Sequence, residues 1–223
     1  MVPSVVMLRR IAILIISIVS VGSHGWAQSA EAAATQDPGT DPKPNWSVRA
    51  SVATYVLPGE EDYVQPTVAV DHGTLHLEGR YNYEARRSGS GFVGWNVEYG
   101  KTLTLQLTPM FGVVVGETDG IIPALEVDLA WKRLELYSEG EYVIDVNRFS
   151  NRFLYNWSEA SVWATNWLRA GVVTQRTRVH GAPLDIQPGI LVGVTLSNVE
   201  PVLYFFNPGS HDRFFVASIN VEF

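Results

Sequence analysis

The sequence contains no cysteine, which excludes a disulfide framework and any thiolate metal site. Charge is also scarce. Asp, Glu, Lys and Arg make up 17% of the chain, against about 25–35% on the surface of a soluble domain. Long apolar runs are missing too. Past residue 30 nothing approaches the ~18 consecutive apolar residues of a membrane-crossing helix, and no helical period of useful length appears. A helical membrane protein is thereby excluded. What remains is a chain of 223 residues, 46% hydrophobic, with 7 Trp, 9 Tyr and 9 Phe and a mean hydropathy of +0.05. That length suits one domain with a sizeable apolar surface. Few charges and many aromatics fit a protein that shows strand-borne apolar surface to lipid.

The first residues read as a secretory signal. Arg9 and Arg10 form a positive region, and Ile11 to Val21 is an apolar stretch of 11 residues, too short to span a bilayer. Gly25-Trp26-Ala27 offers small residues at a cleavage site, so residues 1–27 are expected to be removed after Ala27. Losing two arginines and no acid takes the formal net charge from −7 to −9, which argues against nucleic acid as a partner. Residues 28–45, with prolines at 38, 42 and 44, read as a flexible periplasmic leader.

From Trp46 onward the period is two, as in strands whose side chains alternate between faces. Leu75, Leu77, Gly79, Tyr81 and Tyr83 share one face, and His76, Glu78, Arg80, Asn82 and Glu84 the other. The same split recurs in Leu125, Val127, Leu129 and Trp131 against Glu126, Asp128 and Lys132. The pattern predicts twelve strands near 46–57, 62–71, 74–84, 92–99, 102–116, 121–131, 133–145, 152–163, 167–178, 184–195, 198–207 and 213–223. The facing of 152–163 is ambiguous because its alternation is poor. Connections after even strands are short, and several after odd strands are longer and polar, as in outer-membrane barrels with short periplasmic turns. Trp46, Tyr99, Trp131, Trp163 and Phe223 fall at the expected periplasmic ends and suggest an interfacial aromatic girdle. A lipid-exposed sheet cannot leave backbone groups unpaired at its edges, so closure is required. The fold class expected for 46–223 is all-β: a closed antiparallel transmembrane β-barrel of about twelve strands, with ten to fourteen possible.

Phe215, Ala217, Ile219, Val221 and Phe223 alternate up to the last residue. This run resembles the C-terminal signature of bacterial outer-membrane β-barrel proteins, porin-like in architecture, although Val221 stands where that family often has an aromatic. The resemblance implies an outer-membrane location, contact with outer-membrane lipid and lipopolysaccharide, and recognition of Phe215, Ile219, Val221 and Phe223 by the barrel-assembly machinery.

Alternation assigns His76, Glu78, Arg80, Glu98, Glu126, Asp128, Glu135, Glu139 and Arg169 to the lumen, with Glu84, Glu141, Asp185, Lys132 and Arg133 on the same side. Acids outnumber bases there. A narrow, cation-leaning channel for small hydrophilic solutes is one reading, because acidic rings favour cations. A lumen closed by Arg–Glu pairs, serving a structural or surface-binding role, is the other. Arg86, Arg87, Arg176 and Arg178 lie near outer ends and could bind lipopolysaccharide phosphates bidentately. A membrane-embedded hydrolase needs a nucleophile within reach of a base. Ser210-His211 reads better as a polar turn, and no His-x-Ser pattern followed by Asn-Gly, as in phospholipase-type barrels, is present. His76-x-Glu78 places two possible metal ligands on one strand face but lacks a third. No catalytic set, metal site or cofactor is therefore expected.

Overall fold

The computed structural model describes residues 46–148 and 151–223. The expected signal peptide and leader, residues 1–45, lie outside the described residues. Side chains that alternate between two faces run through thirteen strand segments: β1 Trp46–Val56, β2 Tyr63–His72, β3 Leu75–Tyr81, β4 Gly89–Trp95, β5 Val97–Tyr99, β6 Leu103–Val115, β7 Gly120–Trp131, β8 Leu134–Asp145, β9 Phe153–Trp163, β10 Leu168–Val179, β11 Asp185–Val194, β12 Val199–Phe206 and β13 Phe214–Glu222. The segments β4 and β5 are one wall strand. Both pair with β6 in a single register, Gly94 opposite Met110 and Val97 opposite Leu107. The break at Asn96 comes beside Pro109, which has no N–H to give the ladder.

Every ladder is antiparallel and joins neighbours along the chain, except the one between β1 and β13 that shuts the cylinder. The result is a closed twelve-stranded barrel. The seam runs to the last residue: Phe223 N–H donates to Val48 O at 2.9 Å, and Val48 N–H to Phe223 O at 3.2 Å.

Turns at one end are two to four residues long, and loops at the other four to seven. Short turns mark the periplasmic end of outer-membrane barrels. They are tight enough to demand special backbone conformations. Gly100 has φ +92, and a Cβ there would lie 2.0 Å from Leu103 O. Lys132 takes φ 56 in the two-residue turn from β7 to β8, as primed hairpin turns require.

The outward face is an apolar belt in which Val52, Val68, Val93, Phe111, Val113, Ile190, Val192, Leu203 and Ile219 are all exposed. Cross-strand Gly79 and Gly91 leave an outward-facing apolar hollow of about 680 Å³ in this belt. One stretch departs from the apolar rule. On the outward face of β8 and β9, Ser138, Asn156 and Ser158 hydrogen-bond one another at 2.9–3.0 Å, and the Asn156 amide also reaches Glu139 O. This polar seam explains why β9 alternates poorly.

Strand bounds match expectation closely, with two corrections. The third strand ends at Tyr81 rather than 84, because Asn82 takes φ 58 and its side chain accepts from Arg87 N–H at 2.7 Å and donates to Val64 O at 2.8 Å. Tyr83 is therefore not on the lipid face. It turns inward, and its hydroxyl donates to Glu139 at 2.8 Å. The fourth strand starts at Gly89, earlier than 92, since glycines at 89 and 91 pair with Tyr81 and Gly79.

Candidate functional site

The inward faces meet in three zones. At the long-loop end the lumen is apolar. Tyr55, Leu191, Tyr204, Phe206, Phe214 and Val216 pack on one side, and Phe92, Met110, Val114, Ile122 and Val143 on the other. Phe206 and Ile122 have no exposed surface. Stacked and edge-on ring pairs, such as Phe206–Phe214 at 4.7 Å and Trp157–Phe206 at 5.4 Å, tie the first group together.

The middle zone is built on Arg80, whose side chain is fully buried. From β3 it crosses the lumen to β8, pairing with Glu139 and, at 3.1 Å, with Glu141, while also engaging Glu78 on its own strand. Its guanidinium lies between the Tyr83 and Phe92 rings, 4.3 Å from each centroid. One guanidinium nitrogen, Nη2, has no hydrogen-bond partner among the described residues, and the ring faces supply attraction in its place. Tyr137 donates to Glu126 at 3.3 Å and to Glu139 at 3.1 Å. A second hub sits across the barrel. There Arg169 binds Glu200 at 2.6 Å and Glu159 at 3.1 Å, and Glu159 also accepts from the Trp157 indole and the Tyr204 hydroxyl.

Towards the short turns the wall is polar. Asp71 accepts from Asn96 at 2.6 Å and from Arg49 at 3.3 Å, and contacts His76 Nδ1 at 2.8 Å. Thr108 donates to Asn96 at 2.7 Å. The pocket in the lumen lined by Ser51, Gln65, Tyr83, Tyr137, Glu139 and Ser218 is about 130 Å³, large enough and polar enough to hold water.

The lumen candidates from the sequence separate by depth. His76, Glu78, Arg80, Glu126 and Glu139 are buried at the centre. Asp128, Glu135 and Arg169 lie half-buried on the same inward face. Glu98 pairs with Gln106 but is exposed at the rim. Lys132 and Arg133 do not enter the lumen. They form a turn, where Arg133 donates to Ala164 O at 2.9 Å and Lys132 lies over the Trp131 ring. Arg49, Asp71, Glu159 and Glu200 join the lumen without having been expected there, although strict period two from Trp46 and Tyr63 puts Arg49 and Asp71 inside.

Of the aromatic girdle, Trp46, Tyr99, Trp131 and Phe223 are exposed at the short-turn end. Trp163 is a correction. It shares the inward face of Ser161 and pairs with Arg169, and its indole meets Glu135. Trp95 and Trp167 are exposed at that end instead. Among the outer arginines, Arg86 reaches Glu61 O at 3.0 Å and stacks over Tyr63, and Arg87 faces Glu117 at 3.4 Å. Arg176 and Arg178 stand exposed on β10 near its outer end, on the outward face. Phe215, Ile219 and Val221 also face outward on β13, with Phe215 stacked on Phe205 at 4.7 Å. Ser210 accepts from Asp212 N–H at 3.2 Å in the exposed loop after β12, as a polar turn does.

No protein-family model matches the sequence, and no curated protein matches it significantly. Solved structures do match in shape. The KdgM porin aligns with a TM-score of 0.52 and 10% identity over 79% of this chain and 98% of its own. The KdgM porin in complex with disordered oligogalacturonate aligns at 0.54 and 11%, over 79% and 99%. The chain thus has the porin fold, a closed antiparallel barrel of twelve strands.

Proposed function

We propose that this protein is an outer-membrane channel for small hydrophilic solutes, narrow and cation-leaning. One observation carries the reading: the lumen holds more carboxylates than bases. Arg49, Arg80, Arg169 and His76 face Asp71, Glu78, Glu139, Glu141, Glu159 and Glu200 in direct contacts. Glu126, Asp128, Glu135 and Glu222 are then left with no base within 4 Å among the described residues. Buried or half-buried carboxylates without a base are relieved by water, by cations or by taking up a proton, and acidic linings favour cations. The shared porin fold supports the channel class. The polyanionic oligogalacturonate held by the KdgM porin suits this acidic interior poorly.

In planar bilayers the folded protein is expected to pass current, with a reversal potential of cation sign across a KCl gradient. A reversal of anion sign removes the cation preference. Absence of current from folded protein favours the second reading, a closed barrel with a structural or surface-binding role. The Arg80 crossing, the apolar long-loop zone and the small central pocket are the observations behind that alternative.

The outward, exposed setting of Arg176 and Arg178 fits phosphate binding at the outer leaflet. Arg86 and Arg87 already engage acids or carbonyls of neighbouring loops and contribute less. Substituting Ser for both Arg176 and Arg178 is expected to cut co-purifying lipopolysaccharide severalfold while leaving barrel migration on gels unchanged. Equal lipopolysaccharide in both proteins would sink the assignment. Export through a signal peptide cleaved after Ala27 and delivery by the barrel-assembly machinery, reading Phe215, Ile219, Val221 and Phe223, complete the proposal.

A further inference from the structure

We propose that His76, Glu78 and Glu126 form a site for a divalent transition-metal ion of the zinc class, in the short-turn half of the lumen. The sequence offered His76 and Glu78 on one strand face. Folding adds Glu126 from β7, three wall strands away. One ligand atom from each residue lies within 4.8 Å of the others, and the three residues are 0%, 9% and 5% exposed.

Three features point to a cation here rather than to a self-contained ion cluster. The first is the far side of the histidine. Asp71 Oδ1 sits 2.8 Å from His76 Nδ1 and is itself fixed by Asn96 and Arg49. A carboxylate on one ring nitrogen sets the tautomer and turns the other nitrogen into a ligand, the usual second shell of a metal-bound histidine. Nε2 then faces Glu78 Oε2 at 3.3 Å. The second feature is Glu126. Its buried carboxylate accepts one hydrogen bond, from Tyr137 to Oε1 at 3.3 Å. Among the described residues Oε2 accepts none, and no basic group comes within 4 Å. That oxygen is therefore available to a ligand entering from the lumen. The third is the division of Glu78, whose Oε1 goes to Arg80 while Oε2 turns to the histidine.

The donor set selects the ion. One imidazole nitrogen with two carboxylates suits zinc, with a fourth position for water. Calcium and magnesium take six or more ligands, nearly all oxygen. Bonds of ~2.0–2.1 Å in a tetrahedron place ligand atoms about 3.4 Å apart, so modest side-chain rotation from the observed spacing closes the site. Binding here does not depend on whether the barrel conducts.

The test is calorimetric titration of the folded full-length barrel in detergent with ZnCl2, with MgCl2 as control. One zinc per chain is expected, and no saturable magnesium. Glu126→Gln and His76→Asn should each weaken zinc binding at least tenfold, and Asp71→Asn by about 10–100-fold. Heat-modifiable gel migration shows that each variant is folded. Unchanged affinity and stoichiometry in both ligand variants overturns the proposal and moves the ion to His72, His180 or His211. A measurement needing no variant is zinc-edge anomalous diffraction from wild-type crystals. A peak among the three side chains supports the site; a peak elsewhere, or none at saturating zinc, overturns it.

Discussion

Replacing Arg80 with methionine is expected to lower the unfolding free energy of the barrel by about 3–5 kcal/mol, the usual cost of leaving a buried charge without its partner, and to raise its conductance. Arg80 is the one positive group among the described residues that joins β3 to β8 across the lumen, and Glu78, Glu139 and Glu141 all converge on it. Methionine keeps the length and some contact with the Tyr83 and Phe92 rings but removes the charge. The stranded carboxylates then repel one another and draw in water. Arg80→Lys should fall between, since an ammonium keeps the charge but loses the planar stack and the fork of donors. Adding Glu139→Gln and Glu141→Gln to Arg80→Met should recover much of the loss, because neutral amides need no counter-charge. Urea unfolding in detergent micelles reads the stability, and single-channel recording reads the opening. Wild-type stability and conductance in Arg80→Met would show that the network closes nothing.

The second large effect is expected from Gly112→Val. Gly112 faces inward directly opposite Phe92, and a Cβ on it would lie 2.4 Å from Phe92 Cδ1. An aromatic ring laid over a cross-strand glycine is a recognised way to stabilise a sheet, and here the same ring also carries the Arg80 guanidinium, 4.3 Å from its centroid. Valine would force the buried ring off its seat, with an overpacking cost of about 1–3 kcal/mol, and would disturb Arg80 as well. Combining Gly112→Val with Phe92→Ala removes the clash. The double variant should therefore lose less than the sum of the two single losses. Additive losses would mean that ring and glycine do not communicate.

Strand bounds, turn sides and the inward or outward sense of most residues come from period two, a local property that the sequence displays directly. His76, Glu78, Arg80, Glu126 and Glu139 can be assigned a face for that reason. Their contacts cannot. Arg80 and Glu141 are 61 residues apart, and which side chains meet across a cylinder depends on stagger and tilt, which no local pattern encodes. The same limit hides the third ligand beside His76 and Glu78. Trp163 and Tyr83 depart from their expected faces for different reasons. Around Trp163, Ser158 and Asn156 make the outward face of β9 polar, so hydrophobicity no longer tells the faces apart. At Tyr83 a single residue, Asn82, leaves the extended conformation and reverses the sense of the residues after it.

The ladder between β1 and β13 has a consequence for how such a cylinder comes into being. Every other pairing joins strands adjacent in the chain and can zip from a turn. This one brings Arg49 opposite Glu222, so it bears the entropy of closing the whole ring and is topologically the last to form. Until then two strands carry open rows of N–H and C=O groups, each unsatisfied group costing several kcal/mol in hydrocarbon. One of these strands ends in Phe223. Both edge strands, β1 and β13, thus need their backbone groups covered until the seam forms, and the outward residues Phe215, Ala217, Ile219 and Val221 travel with one of these unfinished edges.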